Sequence, residues 1–129
     1  AASVARLLAL GPEALATAPS EAMLRALRYE APAKTGIPAH VDFGAFTLCH
    51  SETGGLEARD RGSGGEPSGG GVWQELPANE LCFMAGAGLE KKTRRHEHRV
   101  RAVEHRVLLN SLERLSFCRL HGVSRKQSG

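Results

Sequence analysis

Within "AHVDFGAFTL", residues 39–48, an imidazole and a carboxylate, His40 and Asp42, stand two residues apart. On extended backbone, side chains at i and i+2 share a face, so the pair can converge on one divalent ion if residues 40–42 are extended. Two ligands leave a first-row metal short of at least one protein donor, and the chain offers His50, His96, His98, His105 and His121. Two histidines and one carboxylate on one face of an octahedron, with the other positions open, form the donor set of non-haem Fe(II) oxygenases. Alone, the HxD spacing arises by chance, and either residue also serves as a surface group or turn cap.

His105 is the best third ligand on local grounds, because it sits in the alternating run "RVRAVEHRVLL". Further on, Arg114 and Ser116 are again i and i+2. A guanidinium beside a hydroxyl receives a carboxylate through charge-assisted, often bidentate hydrogen bonds, so a small dicarboxylate can span from a metal to Arg114. The competing reading of Arg114 is an edge-strand charge paired with Glu113 or Glu104. His96 and His98 also have i, i+2 spacing, but they fall in the basic run "EKKTRRHEHRVR", residues 90–101, and are read as solvated. His50 and His121 read as surface or turn residues.

Strands must carry these groups. Residues 1–17 have helical spacing (Val4, Leu7, Leu8, Leu15) interrupted by Gly11 and Pro12, which predicts two short helical pieces. "PSEAMLRALRYE" reads as a strand, with a short helix as the alternative. Residues 43–49, "GGLEARD", "VWQELP", "ELCFMAGAG", "RVRAVEHRVLL" and "ERLSFCRLHG" read as further strands, and "RGSGGEPSGGG", with six glycines, as a loop. About seven short strands between glycine-rich turns predict a mainly β sandwich or barrel. Trp73 is expected in its core.

The chain has 129 residues, enough for one domain, and a net charge of +3. No apolar run reaches the ~18 residues of a membrane span, and "SVARLLAL" lacks the signature of a secretory signal. Cys49, Cys82 and Cys118 are spaced too widely for a CxxC site and, being odd in number, do not suggest a disulfide framework; they read as reduced core residues. The expectation is a cytoplasmic monomer that handles a small-molecule substrate, with no membrane partner. The run 90–101 has no aromatic residue for base stacking, so nucleic-acid binding is the minor alternative.

The segments "LRYEAPAKTGIPAHVDFGAFTL", "GGLEARD", "VWQELPANELCFMAGAG", "RAVEHRVLLN" and "ERLSF", in this order, resemble the Fe(II)- and 2-oxoglutarate-dependent dioxygenases of the isopenicillin N synthase-like branch. The resemblance implies a double-stranded β-helix, a distorted jelly roll, over residues 22–122, with a helical segment over 1–21 and a basic tail over 123–129. It implies His40, Asp42 and His105 as ligands of Fe(II), and Arg114 and Ser116 as the pair that binds the distal carboxylate of 2-oxoglutarate. Tyr29 matches a tyrosine that hydrogen-bonds the same cosubstrate. The implied activity couples decarboxylation of 2-oxoglutarate by O2 to oxidation of a small organic molecule; a non-catalytic or decayed jelly-roll module is the alternative.

The chain departs from the family pattern at several places. Leu27 replaces an asparagine of many plant-type members, and Met84 and Ala87 replace polar residues around Gly86. The segment from Thr93 to Arg101 lacks the usual glycine turn and is longer, so it either bulges outward or shifts the strand carrying His105. Only about twenty residues precede the match, where members of the branch have a substantial N-terminal region; the chain is therefore expected to be a fragment.

Overall fold

The computed structural model describes residues 22–31, 36–61, 71–108 and 113–122. The helical pieces expected over 1–17, the basic tail and most of the glycine-rich run fall outside the described residues. The described residues form eight strands: β1 (Ala22–Tyr29), β2 (Ile37–His40), β3 (Phe46–Ser51), β4 (Leu56–Arg59), β5 (Gln74–Glu75), β6 (Leu81–Ala85), β7 (Glu104–Val107) and β8 (Arg114–His121). They make two four-stranded sheets in the orders β1-β8-β3-β6 and β2-β7-β4-β5, with every pair antiparallel. Mainly β architecture with two such sheets is jelly-roll-like, as the strand count predicts.

Strand β1 settles the helix-or-strand ambiguity of "AMLRALRY". All eight residues pair with β8, from Ala22 opposite His121 to Tyr29 opposite Arg114. The odd-numbered Arg25, Leu27 and Tyr29 line a cavity between the sheets, the period of two that a strand requires. In β8 the complementary set Arg114, Ser116, Cys118 and Leu120 faces the same cavity. Cys49, Leu56, Met84 and Val107 form one core cluster, against which Tyr29, Ile37, Val103 and Cys118 pack. A second cluster, Ala45, Phe46, Ala85 and Leu89, lies at the end of the sheet where β3 meets β6.

Two expectations are corrected. "ELCFMAGAG" continues not as a strand but into a helix, α1 (Ala87–Thr93). Its Leu, Glu and Lys favour helix, and Leu89 and Thr93, four residues apart, are both fully buried. Trp73 belongs to neither core cluster. The guanidiniums of Arg59 and Arg106 lie over its ring, 4.5 and 4.1 Å from the ring centre, cation–π contacts at the second sheet. Those arginines in turn pair with Glu104 and Glu57.

The long segment after α1 bulges outward. Thr93 Oγ1 donates to the Leu89 carbonyl (2.9 Å) and accepts the Val100 N–H (3.0 Å), closing residues 94–99 into a tied turn. Glu90 accepts the Ala102 N–H at 2.8 Å and pairs with Arg61. The chain therefore enters β7 in register, with Val103 N donating to Ala85 O at 2.9 Å.

Gly86 joins β6 to α1 where the loop Asp42–Gly44 passes closest. The N–H groups of Gly86, Ala87 and Gly88 donate to the carbonyls of Ala45, Asp42 and Gly44 at 2.8 to 2.9 Å. A Cβ on Gly86 would meet the Gly44 oxygen at 2.3 Å and the Asp42 oxygen at 3.0 Å. Gly86→Ala is expected to lower stability by about 1–3 kcal/mol through this overpacking, read as a lower midpoint in urea unfolding.

Candidate metal centre

The site begins with strand pairing. His40 ends β2 and lies directly opposite His105 on β7, with Ala58 of β4 on the other side of His105. The two imidazole centres are 4.3 Å apart. Asp42 is not on the strand: β2 stops at His40, and the chain turns so that Asp42 reaches both rings. Its Oδ1 is 3.6 Å from His40 Nε2 and 3.8 Å from His105 Nε2. One ligand atom from each of the three lies within 4.8 Å of the others. Among the described residues no other group of three His, Cys, Asp or Glu side chains converges in this way.

Each ring is oriented from behind. His40 Nδ1 is 2.8 Å from the Pro38 carbonyl and His105 Nδ1 is 3.2 Å from the Val103 carbonyl. A carbonyl only accepts, so Nδ1 carries the proton and the Nε2 lone pairs point toward Asp42. Burial pushes His105 below its ordinary pKa, against smaller opposing effects of the Val103 hydrogen bond and the Asp42 charge. That keeps the imidazole neutral, the form that ligates metals. Thr47 Oγ1 donates to Asp42 Oδ2, which leaves Oδ1 to face the histidines.

Across a cavity of about 90 Å³ from this cluster lies β8. Arg114 and Ser116 are each only 1% exposed. The acids that sequence reasoning offered as partners for Arg114 are taken elsewhere: Glu113 pairs with Arg28 and Glu104 with Arg59. Arg114 Nε and Nη2 are buried and have no hydrogen-bond partner among the described residues. Tyr29 OH is likewise buried without a partner, and the Tyr29 ring lies 5.3 Å from the guanidinium carbon. Burial raises the Tyr29 pKa, partly offset by the Arg114 charge, so the phenol stays protonated and able to donate. A buried guanidinium with two nitrogens unpaired among the described residues is costly; together with the phenol and the Ser116 hydroxyl it offers donors of the kind that suit an anion.

The structure thus brings His40, Asp42 and His105 to one end of the cavity and Tyr29, Arg114 and Ser116 to the other. His96 and His98, with rings 6.0 Å apart, stay in the solvated turn, and His121 stacks on Phe46 at 4.3 Å. Sequence reasoning missed Thr47, the hydroxyl that holds Asp42. Its signal was present, since Thr47 shares a strand face with Cys49 and Ser51, but a threonine in a strand is ordinary.

No protein-family model matches the sequence, and no curated protein is similar enough to count as a relative. Solved structures do share the fold. A full-length Neurospora crassa protein in complex with alpha-KG and 5-formyluracil superposes with a TM-score of 0.68 at 18% identity, over 97% of this chain and 43% of that one. The same protein with alpha-KG and thymine gives 0.65 at 17% identity, over 97% and 40%. JOX2 in complex with 2OG, Fe and JA gives 0.65 at 21% identity, over 96% and 37%. The chain thus spans about two fifths of the length of these proteins.

Arg114→Met tests the burial. Removing an unpaired buried charge while keeping the bulk should leave the ligand-free protein as stable as the parent or more stable by about 1–4 kcal/mol, measured by denaturant unfolding. A loss of several kcal/mol would mean that the guanidinium is already satisfied.

Proposed function

We propose that residues 22–122 form an Fe(II)- and 2-oxoglutarate-dependent dioxygenase domain of the isopenicillin N synthase-like kind, acting on a small organic substrate. The observation that carries this reading is the buried Arg114, two of whose nitrogens are unpaired among the described residues, facing a His-Asp-His cluster across one cavity. Two imidazoles and a carboxylate suit Fe(II) and leave positions free for other ligands. The fold neighbours support it, since they are bound to alpha-KG or 2OG, two names for 2-oxoglutarate, and one also to Fe.

In this reading His40, Asp42 and His105 hold the metal, and 2-oxoglutarate enters with its distal carboxylate toward β8. Arg114 takes that carboxylate through Nε and Nη2, Ser116 adds a hydroxyl donor and Tyr29 a phenolic one. When bound, Fe(II) with O2 supplies the oxidising power that couples loss of CO2 from the cosubstrate to substrate oxidation. The protein's own share is positioning. Thr47 fixes Asp42, the Pro38 and Val103 carbonyls fix the two rings, and Leu27, Ile37, Leu56 and Val107 keep the cavity wall apolar, which strengthens the Arg114–carboxylate attraction. A non-catalytic jelly-roll module that binds an anion at Arg114 is the second reading.

Anaerobic titration with Fe(II) and 2-oxoglutarate should produce the weak visible absorption of a 2-oxo acid chelate. His105→Ala should lower metal affinity by more than the ~10–100-fold typical of losing an outer-shell partner, and Arg114→Met should weaken 2-oxoglutarate but not the metal. Metal binding unchanged in His105→Ala would sink the assignment.

A further inference from the structure

The three cysteines, far apart in sequence, form one row across three strands. Cys49 on β3 lies opposite Cys118 on β8 and opposite Cys82 on β6. All are free thiols. The two neighbours of Cys49 differ sharply. Cys82 Sγ is turned to the Pro77 carbonyl at 4.0 Å, whereas Cys118 Sγ lies 3.0 Å from Cys49 Sγ. Both Cys49 and Cys118 line the cavity beside Arg114 and Ser116, so a small solute entering it reaches them.

We propose that Cys49 and Cys118 are a redox modification site, closing to a reversible disulfide across β3 and β8 on oxidation by a hydroperoxide. Directly opposed residues of antiparallel strands have Cα atoms about 4.5–5.5 Å apart, inside the window of about 4.4–6.8 Å that a disulfide needs. The sulfurs need approach only from 3.0 Å to the ~2.05 Å bond length, with no change of strand register. The Cys118 S–H, donated to Cys49, draws the Cys49 thiol down to about 6 and holds the Cys118 proton well above its ordinary range, which makes Cys49 the nucleophile.

The chemistry balances with hydrogen peroxide as oxidant. The Cys49 thiolate attacks one peroxide oxygen, the O–O bond breaks, and hydroxide leaves, giving a sulfenic acid. Cys118 then attacks the Cys49 sulfur, the S–O bond breaks, and the Cys118 proton leaves with that oxygen. Two thiols and one peroxide become one disulfide and two waters.

The consequence for the site rests on the reading given under Proposed function. Ser116 Oγ lies 3.5 Å from Cys49 Sγ and 3.7 Å from Cys118 Sγ. Closing the bond removes both thiol partners of that hydroxyl. The Ser116 hydroxyl is then free to donate to a carboxylate held by Arg114, so the oxidised protein should bind 2-oxoglutarate several-fold more tightly.

The test is peptide mapping without reductant after treatment with stoichiometric hydrogen peroxide. A Cys49–Cys118 linked peptide, lighter by two hydrogens and released by dithiothreitol, is expected in the wild type and in Cys82→Ser, and absent in Cys118→Ser. Thiols that remain fully reactive to maleimide, or a link from Cys49 to Cys82, would overturn the site. Calorimetric titration of reduced and oxidised protein with 2-oxoglutarate, Fe(II) present anaerobically, reads the coupling. Equal affinities in the two states would overturn the switch, and a linked peptide with binding in neither state would remove the functional reading while confirming the disulfide.

Discussion

A guanidinium that is almost wholly withdrawn from water, with two of its nitrogens unpaired among the described residues, sets the terms for the rest of this molecule. Buried charges are ordinarily paired, because the loss of hydration costs several kcal/mol per ion even after relaxation. Arg114 is held in place nonetheless by strand pairing, since β8 is the central strand that zips along β1 on one side and β3 on the other. The sheet therefore supplies the energy that keeps an unfavourable charge where a ligand can use it. An anion bound there would add to folding stability by mass action.

The opposite end of the cavity follows a different logic. There the ligand-type side chains are neutral or mutually attractive, and the constraint is orientation. His40 and His105 face each other because β2 and β7 pair in that register, and each ring is turned by a backbone carbonyl two residues earlier. Asp42 lies just past the strand, so its placement depends on the Thr47 hydroxyl and on the backbone bond from Ala87 at the start of α1. The helix is short, but Leu89 and Thr93 anchor it in the core, and through it the long turn at 94–99 stays clear of β7.

What was legible in the sequence was whatever depends on local period. Alternation along "AMLRALRY", "LEAR" and "RLSFCRLH" marked strands, and the i, i+2 spacing of Arg114 and Ser116 gave their shared face directly. His40 and Asp42 share the site for a reason other than the one their spacing suggested, because the extended run ends at His40 and a turn carries Asp42 back. Helix α1 was hidden by its context: "AGAG", residues 85–88, runs across its start, and seven residues are too few to show a helical period against a strand of similar apolar content. Arg114 could be placed on a face but not buried, since an arginine's default is the surface. Sheet register, which no local pattern encodes, is what decided that face's fate.

The cysteines show the same limit of local reading most plainly. Separations of 33 and 36 residues looked incompatible with any shared chemistry, yet the strand order β6-β3-β8 sets all three side by side. Nothing in a row of thiols requires that two of them meet. Strand twist and packing turn Cys82 toward the Pro77 carbonyl and leave Cys49 and Cys118 in contact, next to a cation that favours the thiolate. Arg114, Ser116 and both of these thiols line the same cavity. The redox state of the pair decides whether the Ser116 hydroxyl is shared with sulfur or left to a ligand, so oxidation of the thiols and occupancy of the cavity are linked through that one hydroxyl.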